Sequence, residues 1–308
     1  MHHHKRGLLA CALAVSLLFS GCGLEEYVSD LSDQSFGGET EVETEDDVGC
    51  TVYFLDVGQG DSTLIVTEDA AVLIDAGEQS AGDDVLADLQ AYGVTELDWI
   101  ICTHPHADHI GGFSVLLEYA ATYDDLTIDN VMLPDIPDDQ IPTTMTYEYF
   151  LDGVEENGLT ITVATETTLD LGGATLDIIP PPGDDYSSLN DYSICAYLHC
   201  GETSFLFTGD ASSPEENDLV EQDLLTTADV LKVGHHGSGE SSTTTFLSVV
   251  QPKYAIISCG IDNSYGHPDE ETLERLEVYC GDAIYRTDED GTVIVASNGS
   301  EITITTTD

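Results

Sequence analysis

The feature that most constrains the fold of this chain is a histidine-rich run directly after a short apolar segment. The segment Asp98–Thr103 has a Trp-Ile-Ile centre, which is typical of a strand that is covered on both faces. The next six residues include His104, His106, Asp108 and His109. Imidazole nitrogens and carboxylate oxygens are ligands of Zn²⁺, and of Mn²⁺ or Fe where oxygen donors dominate. The run predicts a metal site in which His104 and His106 share one ion, while Asp108 and His109 turn towards a second.

Two later segments repeat the pattern of a strand followed by a side chain that can bind metal. Asp210 follows the predicted strand Ser204–Thr208, where its carboxylate could bridge two cations. His235 and His236 follow the predicted strand Asp229–Val233. Either segment alone is common in proteins. Together with the histidine-rich run they are much more specific, and we expect all three segments to meet at one site.

The positions of the histidines also favour a single site. Seven histidines follow residue 22, and six of them come immediately after a predicted strand, in loops at one edge of the sheets. The exception is His199, which lies inside a strand among apolar neighbours. We therefore assign it a structural role and no chemistry.

Between these motifs the chain alternates strands and helices. The predicted strands are Val52–Val57, Ser62–Val66, Ala71–Ile74, Asp98–Thr103, Ile128–Leu133, Ile161–Val163, Thr175–Ile179, Ser193–His199, Ser204–Thr208, Asp229–Val233, Tyr254–Ser258 and three short strands at the end. The predicted helices are Ala81–Tyr92, a segment from Gly112 to about Ala120, Thr144–Glu156, Pro214–Leu225, Thr243–Val250 and Asp269–Val278. Ser213 is the predicted N-cap of the helix Pro214–Leu225. This order favours one layered α/β domain over residues 49–308.

The N-terminus has the pattern of an exported lipoprotein. Residues 1–22 combine a basic start, an apolar stretch and small residues before Cys22, which are the parts of a secretory signal. A cysteine after small residues resembles the bacterial lipobox, so we expect cleavage before Cys22 and lipidation of its thiol. Residues 23–48 are acidic without an apolar period, which predicts a flexible stalk. The expected location is the outer face of the cell membrane, with secretion in soluble form as the alternative.

Charge limits the class of partner. The chain has 6 Lys and Arg against 60 Asp and Glu, and its formal net charge is −54. Nucleic-acid binding depends on Lys and Arg that neutralise phosphates, so this composition disfavours a nucleic acid as partner. Six cysteines follow Cys22, and their spacing leaves the pairing open, although Cys195 and Cys200 would face opposite sides of one strand.

Several motifs resemble the metallo-β-lactamase superfamily, and in particular the hydrolase domain at the C-terminus of ComEC competence proteins. They are Phe54–Ser62, Ile74–Gly77, the histidine-rich run, Leu206–Asp210, Gly234–Ser238 and Asn263–Pro268. The chain is also similar to a secreted phosphorylcholine esterase that trims teichoic acid. The resemblance covers nearly the whole domain, and it implies an α/β fold of the four-layer αββα sandwich type.

The resemblance also implies a role for each candidate residue. It places two divalent cations, with zinc expected and manganese or iron as alternatives, on His104 and His106 for the first, on Asp108, His109 and His235 for the second, and on Asp210 as the bridge. Asp75 would hold a ligand histidine by its other ring nitrogen. Many zinc-dependent members supply a third histidine to the first cation. This chain has Leu189–Ser193 in that place, so Asp191 or Asn190 is the expected substitute.

These residues predict a hydrolase in which water activated by the metals attacks an electrophilic centre. Phosphorus is the expected centre, because phosphodiester chemistry is common in the relatives resembled. The substrate is then a small or envelope-linked phosphoester. Asp108, His236 and His267 are the predicted catalytic residues, with both histidines as proton donors to phosphoryl oxygens or the leaving group. Two alternatives stay open: a ComEC-like nuclease for DNA uptake, and a metal-stabilised lipoprotein that binds a partner without catalysis.

Overall fold

The computed structural model describes residues 49–308, so the predicted signal (1–22), Cys22 and the stalk (23–48) lie outside the described residues. The strands are β1 (Cys50–Phe54), β2 (Thr63–Val66), β3 (Ala71–Ile74), β4 (Glu96–Leu97), β5 (Trp99–Ile101), β6 (Thr127–Ile128), β7 (Val131–Leu133), β8 (Ile161–Val163), β9 (Thr167–Asp170), β10 (Thr175–Ile179), β11 (Cys195–Cys200), β12 (Thr203–Phe207), β13 (Val230–Lys232), β14 (Tyr254–Ile257), β15 (Ile284–Arg286), β16 (Val293–Ser297) and β17 (Ile302–Thr306). The helices are α1 (Gly82–Ala91), α2 (Ala107–Ile110), α3 (Phe113–Thr122), α4 (Met145–Glu156), α5 (Ser213–Glu221), α6 (Thr244–Val250), α7 (Glu270–Cys280) and α8 (Thr287–Asp290). None of these helices is long and apolar enough to cross a bilayer.

Most strands belong to two large sheets. The first sheet has the order β17-β16-β1-β2-β3-β5-β7-β8, and the second has the order β15-β14-β13-β12-β11-β10-β9. β4 and β6 form a separate two-stranded ladder. Each large sheet is mixed, with parallel pairing from β3 to β8 in the first and from β12 to β15 in the second.

Three apolar cores separate four layers. The central core lies between the sheets, where the rings of Phe54 and Phe207 approach to 6.2 Å between centroids. A second core joins the first sheet to α1, α3 and α4 and includes Phe113 and Phe150. A third core joins the second sheet to α5, α6 and α7 and includes Leu276. Burial of these side chains drives the layers together, and the arrangement confirms the predicted αββα sandwich.

The parallel strands place the candidate residues at one edge. Asp75 follows β3, His104 follows β5, Asp210 follows β12, His236 follows β13 and Ser258 follows β14. The carboxyl ends of parallel neighbours meet at the same edge of a sheet, and in α/β folds this is where ligands bind. The fold therefore gathers loops that are far apart in the sequence.

A few local predictions were wrong. Helix α5 begins at Ser213, so its cap position is Ser212, whose hydroxyl donates to Asp191 at 2.6 Å. The strand Thr167–Asp170 was missed because it is a largely exposed edge strand without apolar alternation. The predicted strand Ile128–Leu133 is divided between β6 and β7, which belong to different ladders.

Candidate metal centre

The first histidine loop, Thr103–Gly112, connects β5 to α3. His104 is fully buried, and its Nε2 lies 3.0 Å from Nδ1 of His106. Helix α2 begins directly after His106 and carries Asp108 and His109 on its single turn. The ring centroids of His104 and His109 are 4.2 Å apart. The loop thus gathers its imidazoles as the sequence predicts.

Asp210 lies at the centre of the site. Its buried Oδ2 is 3.3 Å from Nε2 of His109 and 3.8 Å from Nε2 of His104. The same oxygen is 3.5 Å from Nε2 of His236 and 3.9 Å from Nε2 of His235. Burial opposes the charged carboxylate, but His236 and His109 outweigh it and hold the pKa of Asp210 well below its usual range. Asp210 is therefore a carboxylate within reach of four imidazoles, as a bridging ligand requires.

Asp75 fixes the orientation of His109. It follows β3 with a left-handed backbone, and it accepts hydrogen bonds from the backbone N–H of Thr103 at 2.8 Å and from the Thr103 hydroxyl at 2.6 Å. Oδ2 of Asp75 lies 2.8 Å from Nδ1 of His109. With Nδ1 engaged, Nε2 of His109 is directed to Asp210. This is the supporting role that the sequence predicts for Asp75.

The second histidine loop, Val233–Ser238, presents its two histidines differently. His235 and His236 both have positive φ, 48° and 53°, within a 3₁₀ turn. His236 is 2% exposed, whereas the side chain of His235 is 23% exposed. Nε2 of His235 lies 3.1 Å from Nδ2 of Asn190. The backbone of this loop thus buries His236 and leaves His235 partly exposed.

His236, rather than the predicted His235, completes the group around Asp108. Nε2 of His236 lies 3.4 Å from Oδ2 of Asp108, and these two residues group with His109 as possible ligands of one cation. Nδ1 of His236 lies 3.0 Å from the carbonyl oxygen of Ser258. A carbonyl can only accept, so Nδ1 donates and Nε2 is free to bind a metal. The geometry therefore favours His236, rather than the predicted His235, as the candidate ligand beside Asp108 and His109.

Asp61 and Lys232 support this loop, and sequence reasoning assigned neither a role. Nζ of Lys232 lies 2.6 Å from Oδ2 of Asp61, and both side chains are buried. Oδ1 of Asp61 lies 3.1 Å from Nδ1 of His236. Gly60 lets the segment before Asp61 approach the first histidine loop, because a Cβ there would meet the backbone oxygen of Asp108. The available signal was Asp61 within the Phe54–Ser62 motif.

The predicted substitute ligand Asp191 does not face the cluster. It is buried, and Oδ1 accepts from the backbone N–H of Ser212 at 3.1 Å and from the Ser212 hydroxyl. It belongs to none of the groups of possible ligands among the described residues. Its neighbour Asn190 does line the cavity, beside His235. Asp191 therefore stabilises the start of α5, and Asn190 is the member of this predicted pair that lies beside the candidate ligands.

A cavity of about 330 Å³ opens above the cluster. Its lining residues are Gln59, His106, Ala107, Asp108, Asn190, Asp210, His235, His236, Tyr265 and His267. His267 is on the cavity wall, with its ring centroid 5.7 Å from that of His235 and 5.8 Å from that of Tyr265, on which it stacks. His199 lies elsewhere, on β11, with Nε2 3.4 Å from Asp177. No Lys or Arg of residues 49–308 lines the cavity.

The cluster has the properties of a cation site. Nε2 of His109, Nε2 of His236 and Oδ1 of Asp210 are buried without a hydrogen-bond partner in the described part of the chain. Unpartnered buried polar atoms are costly unless they bind something. Burial opposes the charged ring of His236, but Asp210 and Asp61 outweigh it and raise its pKa to about 10. The carboxylates that favour this ring cation also favour a metal ion, so the donor set fits divalent metals.

Comparison with known proteins gives a family match and a likeness of fold. The family model of the metallo-beta-lactamase superfamily matches residues 55–122 and 169–261, together just over half of the chain. Both histidine loops lie in the matched stretches. The solved structure of YhfI from Bacillus subtilis, a metallo-beta-lactamase fold protein, has a TM-score of 0.51 and 13% identity, covering 79% of this chain and 98% of YhfI. That likeness confirms the fold.

Two curated relatives come from competence systems, as the motifs predict. ComE operon protein 3 of Bacillus subtilis is 31% identical over 79% of this chain and 32% of its own length. Competence protein ComA of Neisseria gonorrhoeae is 28% identical over 92% of this chain and 37% of its own length. The chain spans about a third of the length of these relatives.

Proposed function

This chain belongs to the metallo-β-lactamase superfamily of metal-dependent hydrolases, and we propose that it acts as a two-metal phosphodiesterase. One observation carries the proposal: the buried carboxylate of Asp210 lies within 4 Å of four imidazole nitrogens at the base of an open cavity. Three of these imidazoles, together with His106 and Asp108, are enough donors for two cations that share Asp210 as a bridging ligand.

The proposed ligands fall into two sets that share Asp210. His104 and His106 would hold the first cation, since Nε2 of one and Nδ1 of the other are 3.0 Å apart. Asp108, His109 and His236 would hold the second. Zinc suits this mixture of nitrogen and oxygen donors, and manganese or iron are the alternatives. When bound, two such cations lower the pKa of water and polarise a phosphoryl oxygen.

The chain's own residues would orient the ligands and the substrate. Asp75 and Asp61 hold the far nitrogens of His109 and His236, which keeps the metal-facing nitrogens in place. Nδ1 of His236 donates to the protein, and its Nε2 would bind a metal. His236 therefore has no nitrogen left to donate a proton to the substrate, and this role, expected of both histidines, is left to His267 on the cavity wall. His235 lies nearer the cluster, where its ring can contact a phosphoryl oxygen.

The charge around the site favours a small or cationic substrate. No Lys or Arg of the described residues lines the cavity, so the bound metals must supply the positive charge that neutralises a phosphodiester. The whole chain carries a formal net charge of −54. A polyanion is repelled by such a surface, whereas a small phosphoester, or one with a cationic group as on an envelope polymer, is not.

A nuclease is the second candidate, because the chain is similar to proteins of competence systems. One experiment separates the two. The full chain, loaded with zinc or manganese, is tested on bis-p-nitrophenyl phosphate, p-nitrophenyl-phosphorylcholine, single-stranded DNA and nitrocefin over a range of salt concentrations. We expect the small phosphodiesters to be hydrolysed fastest at every ionic strength. DNA cleavage should be weak and should rise with salt, because salt screens repulsion beyond about 8 Å at physiological strength.

Two controls make this experiment decisive. His106→Ala removes a proposed ligand, and His199→Ala removes a histidine that lies outside the site. Rapid DNA degradation at low salt that His106→Ala abolishes would establish the nuclease instead. Hydrolysis of none of the four substrates by protein that holds two metal equivalents would contradict phosphodiesterase activity.

We also propose that the protein is anchored outside the cell by a lipid on Cys22. Support comes from the sequence alone, where Cys22 follows an apolar segment and small residues. Cys22→Ser should move the protein from the membrane fraction to the medium. Identical fractionation of the two proteins would contradict the anchor.

A further inference from the structure

Two buried cysteines from different sheets meet at one end of the central core. Cys50 is the first residue of β1 in the first sheet, and Cys200 is the last residue of β11 in the second. Their exposures are 4% and 0%, and both belong to the core between the sheets. They are far apart in the sequence, so only the packing of the sheets brings them together.

The strand registers place these cysteines on either side of a contact between the sheets. Ser297 is the partner of Cys50 in the first sheet, and Thr203 is the partner of Cys200 in the second. The Thr203 and Ser297 hydroxyl oxygens lie 2.6 Å apart across the sheets. Directly opposed residues of antiparallel strands have Cβ atoms roughly 5 Å apart. Each cysteine is therefore next to one member of the cross-sheet pair.

The two thiols affect each other in this core. The neighbouring Cys50 thiol is the main reason that the pKa of Cys200 falls to about 6, with help from Ser297. Cys200 in turn raises the pKa of Cys50, which burial raises further. These effects agree with the placement that the strand registers give. In the open chain either cysteine can supply the thiolate that is the nucleophile in disulfide exchange.

The other cysteines of the described residues have different surroundings. The thiols of Cys102, Cys259 and Cys280 donate to oxygen atoms of His104, Asp288 and Pro252. Cys195 is on the same strand as Cys200 but packs in the core between the second sheet and its helices. It is therefore a matched control that faces the other side of the sheet.

We propose that Cys50 and Cys200 form a disulfide bond that joins the two sheets. The oxidant is an external disulfide, either a thiol–disulfide oxidoreductase or oxidised glutathione. The thiolate of one cysteine attacks it and releases one thiol, and the other cysteine then loses its proton and attacks its partner's sulfur in the mixed disulfide, which releases the second thiol. Two cysteine thiols are oxidised and one external disulfide is reduced. Because both sulfurs are buried, this exchange occurs during folding, before the sheets close.

Such a bond has a clear structural consequence. It closes a long loop between the first strand of the domain and the middle of the second sheet, and long loops gain most from a crosslink in the chain-entropy account. Exported proteins fold where disulfides persist. The inference does not depend on the hydrolase assignment, because neither cysteine lines the cavity above the metal cluster.

The test is a disulfide map of the full chain refolded with reduced and oxidised glutathione. Free thiols are alkylated, and the chain is cut with proteases specific for Asp and Glu, because its 6 Lys and Arg give too few tryptic sites. Mass spectrometry without reductant should find the Cys50 peptide linked to the peptide that contains Cys200. The link should vanish in Cys200→Ser and persist in Cys195→Ser.

A thermal melt gives an independent readout on the wild-type chain. Reduction should lower its Tm by roughly 5–10 °C, and it should leave the Tm of Cys200→Ser unchanged. Cys50 recovered fully alkylated after oxidative refolding, or linked to another cysteine, would overturn the proposal. This outcome is readable on wild-type protein, so it does not require that a variant folds.

Discussion

The two histidine loops supply the same kind of ligand by different means. The first loop, Thr103–Gly112, carries Asp108 and His109 on a single helical turn, which gives their side chains regular directions. The second loop, Val233–Ser238, uses two consecutive residues in the left-handed region. Helical geometry can be read from spacing, whereas left-handed backbone at two non-glycine residues cannot. The candidate ligands of the first loop therefore follow from their spacing, whereas the choice between His235 and His236 in the second loop depends on a backbone that the sequence does not reveal.

The loops also differ in how their key histidine is held. Nδ1 of His109 faces the carboxylate of Asp75, which Thr103 in turn holds by two hydrogen bonds. Nδ1 of His236 faces both the Ser258 carbonyl and the carboxylate of Asp61. The first support is a single strong partner, and the second is divided between two. Loss of one support should therefore affect the first loop more than the second.

The largest effect is expected from removing a metal-facing group in either loop. Asp108→Ala and His236→Ala should each lower kcat/KM on bis-p-nitrophenyl phosphate by about a thousandfold, since losing metal stabilisation costs several kcal/mol. Initial rates would be compared with melting curves to confirm folding. Near-normal activity in His236→Ala would show that the second loop does not supply a metal-facing group of the same importance as Asp108 in the first.

A smaller effect should separate the two supporting carboxylates. Asp75→Asn should weaken metal binding by about a hundredfold, and Asp61→Asn by about tenfold, within the range for groups that orient ligands. The weaker effect of Asp61 follows from the second acceptor of His236, the Ser258 carbonyl. Titration with a chelator measures both affinities. The reverse order would show that Asp61, with Lys232, is the dominant support.

The smallest effect concerns the exposed histidine of the second loop. His235→Ala should lower kcat/KM by about tenfold, the equivalent of one hydrogen bond to a charged group, while both cations stay bound. His199→Ala should leave the rate within a factor of about two, because its exposed pair with Asp177 lies outside the site. Steady-state rates of the two variants, measured together, check this ranking. A larger loss in His199→Ala would contradict the placement of the site.

Much of the fold was accessible from the sequence because apolar periodicity reports burial directly. The apolar run that became β5 was predicted on this basis, and the three closing strands expected from the sequence are β15, β16 and β17. The edge strand β9 was missed, because an exposed strand leaves no apolar pattern. The sequence also predicted which loops meet, because each candidate loop directly follows a predicted strand.

The orientation of single side chains was less accessible. Asp191 was expected to face a metal and instead accepts hydrogen bonds from Ser212, a contact that depends on how α5 packs. Asp61 and Lys232 form their pair from distant segments of the chain. No local pattern encodes such contacts, because they arise only when the second sheet packs on the first.

The most direct test of the central claim is the metal content of three proteins. Wild type, His236→Ala and His235→Ala are loaded with zinc, freed of excess metal and measured by inductively coupled plasma mass spectrometry. Two bound cations are predicted in wild type and in His235→Ala, and one in His236→Ala, because the buried Nε2 of His236 faces Asp108 and Asp210. Loss of a cation in His235→Ala with two retained in His236→Ala would contradict the account.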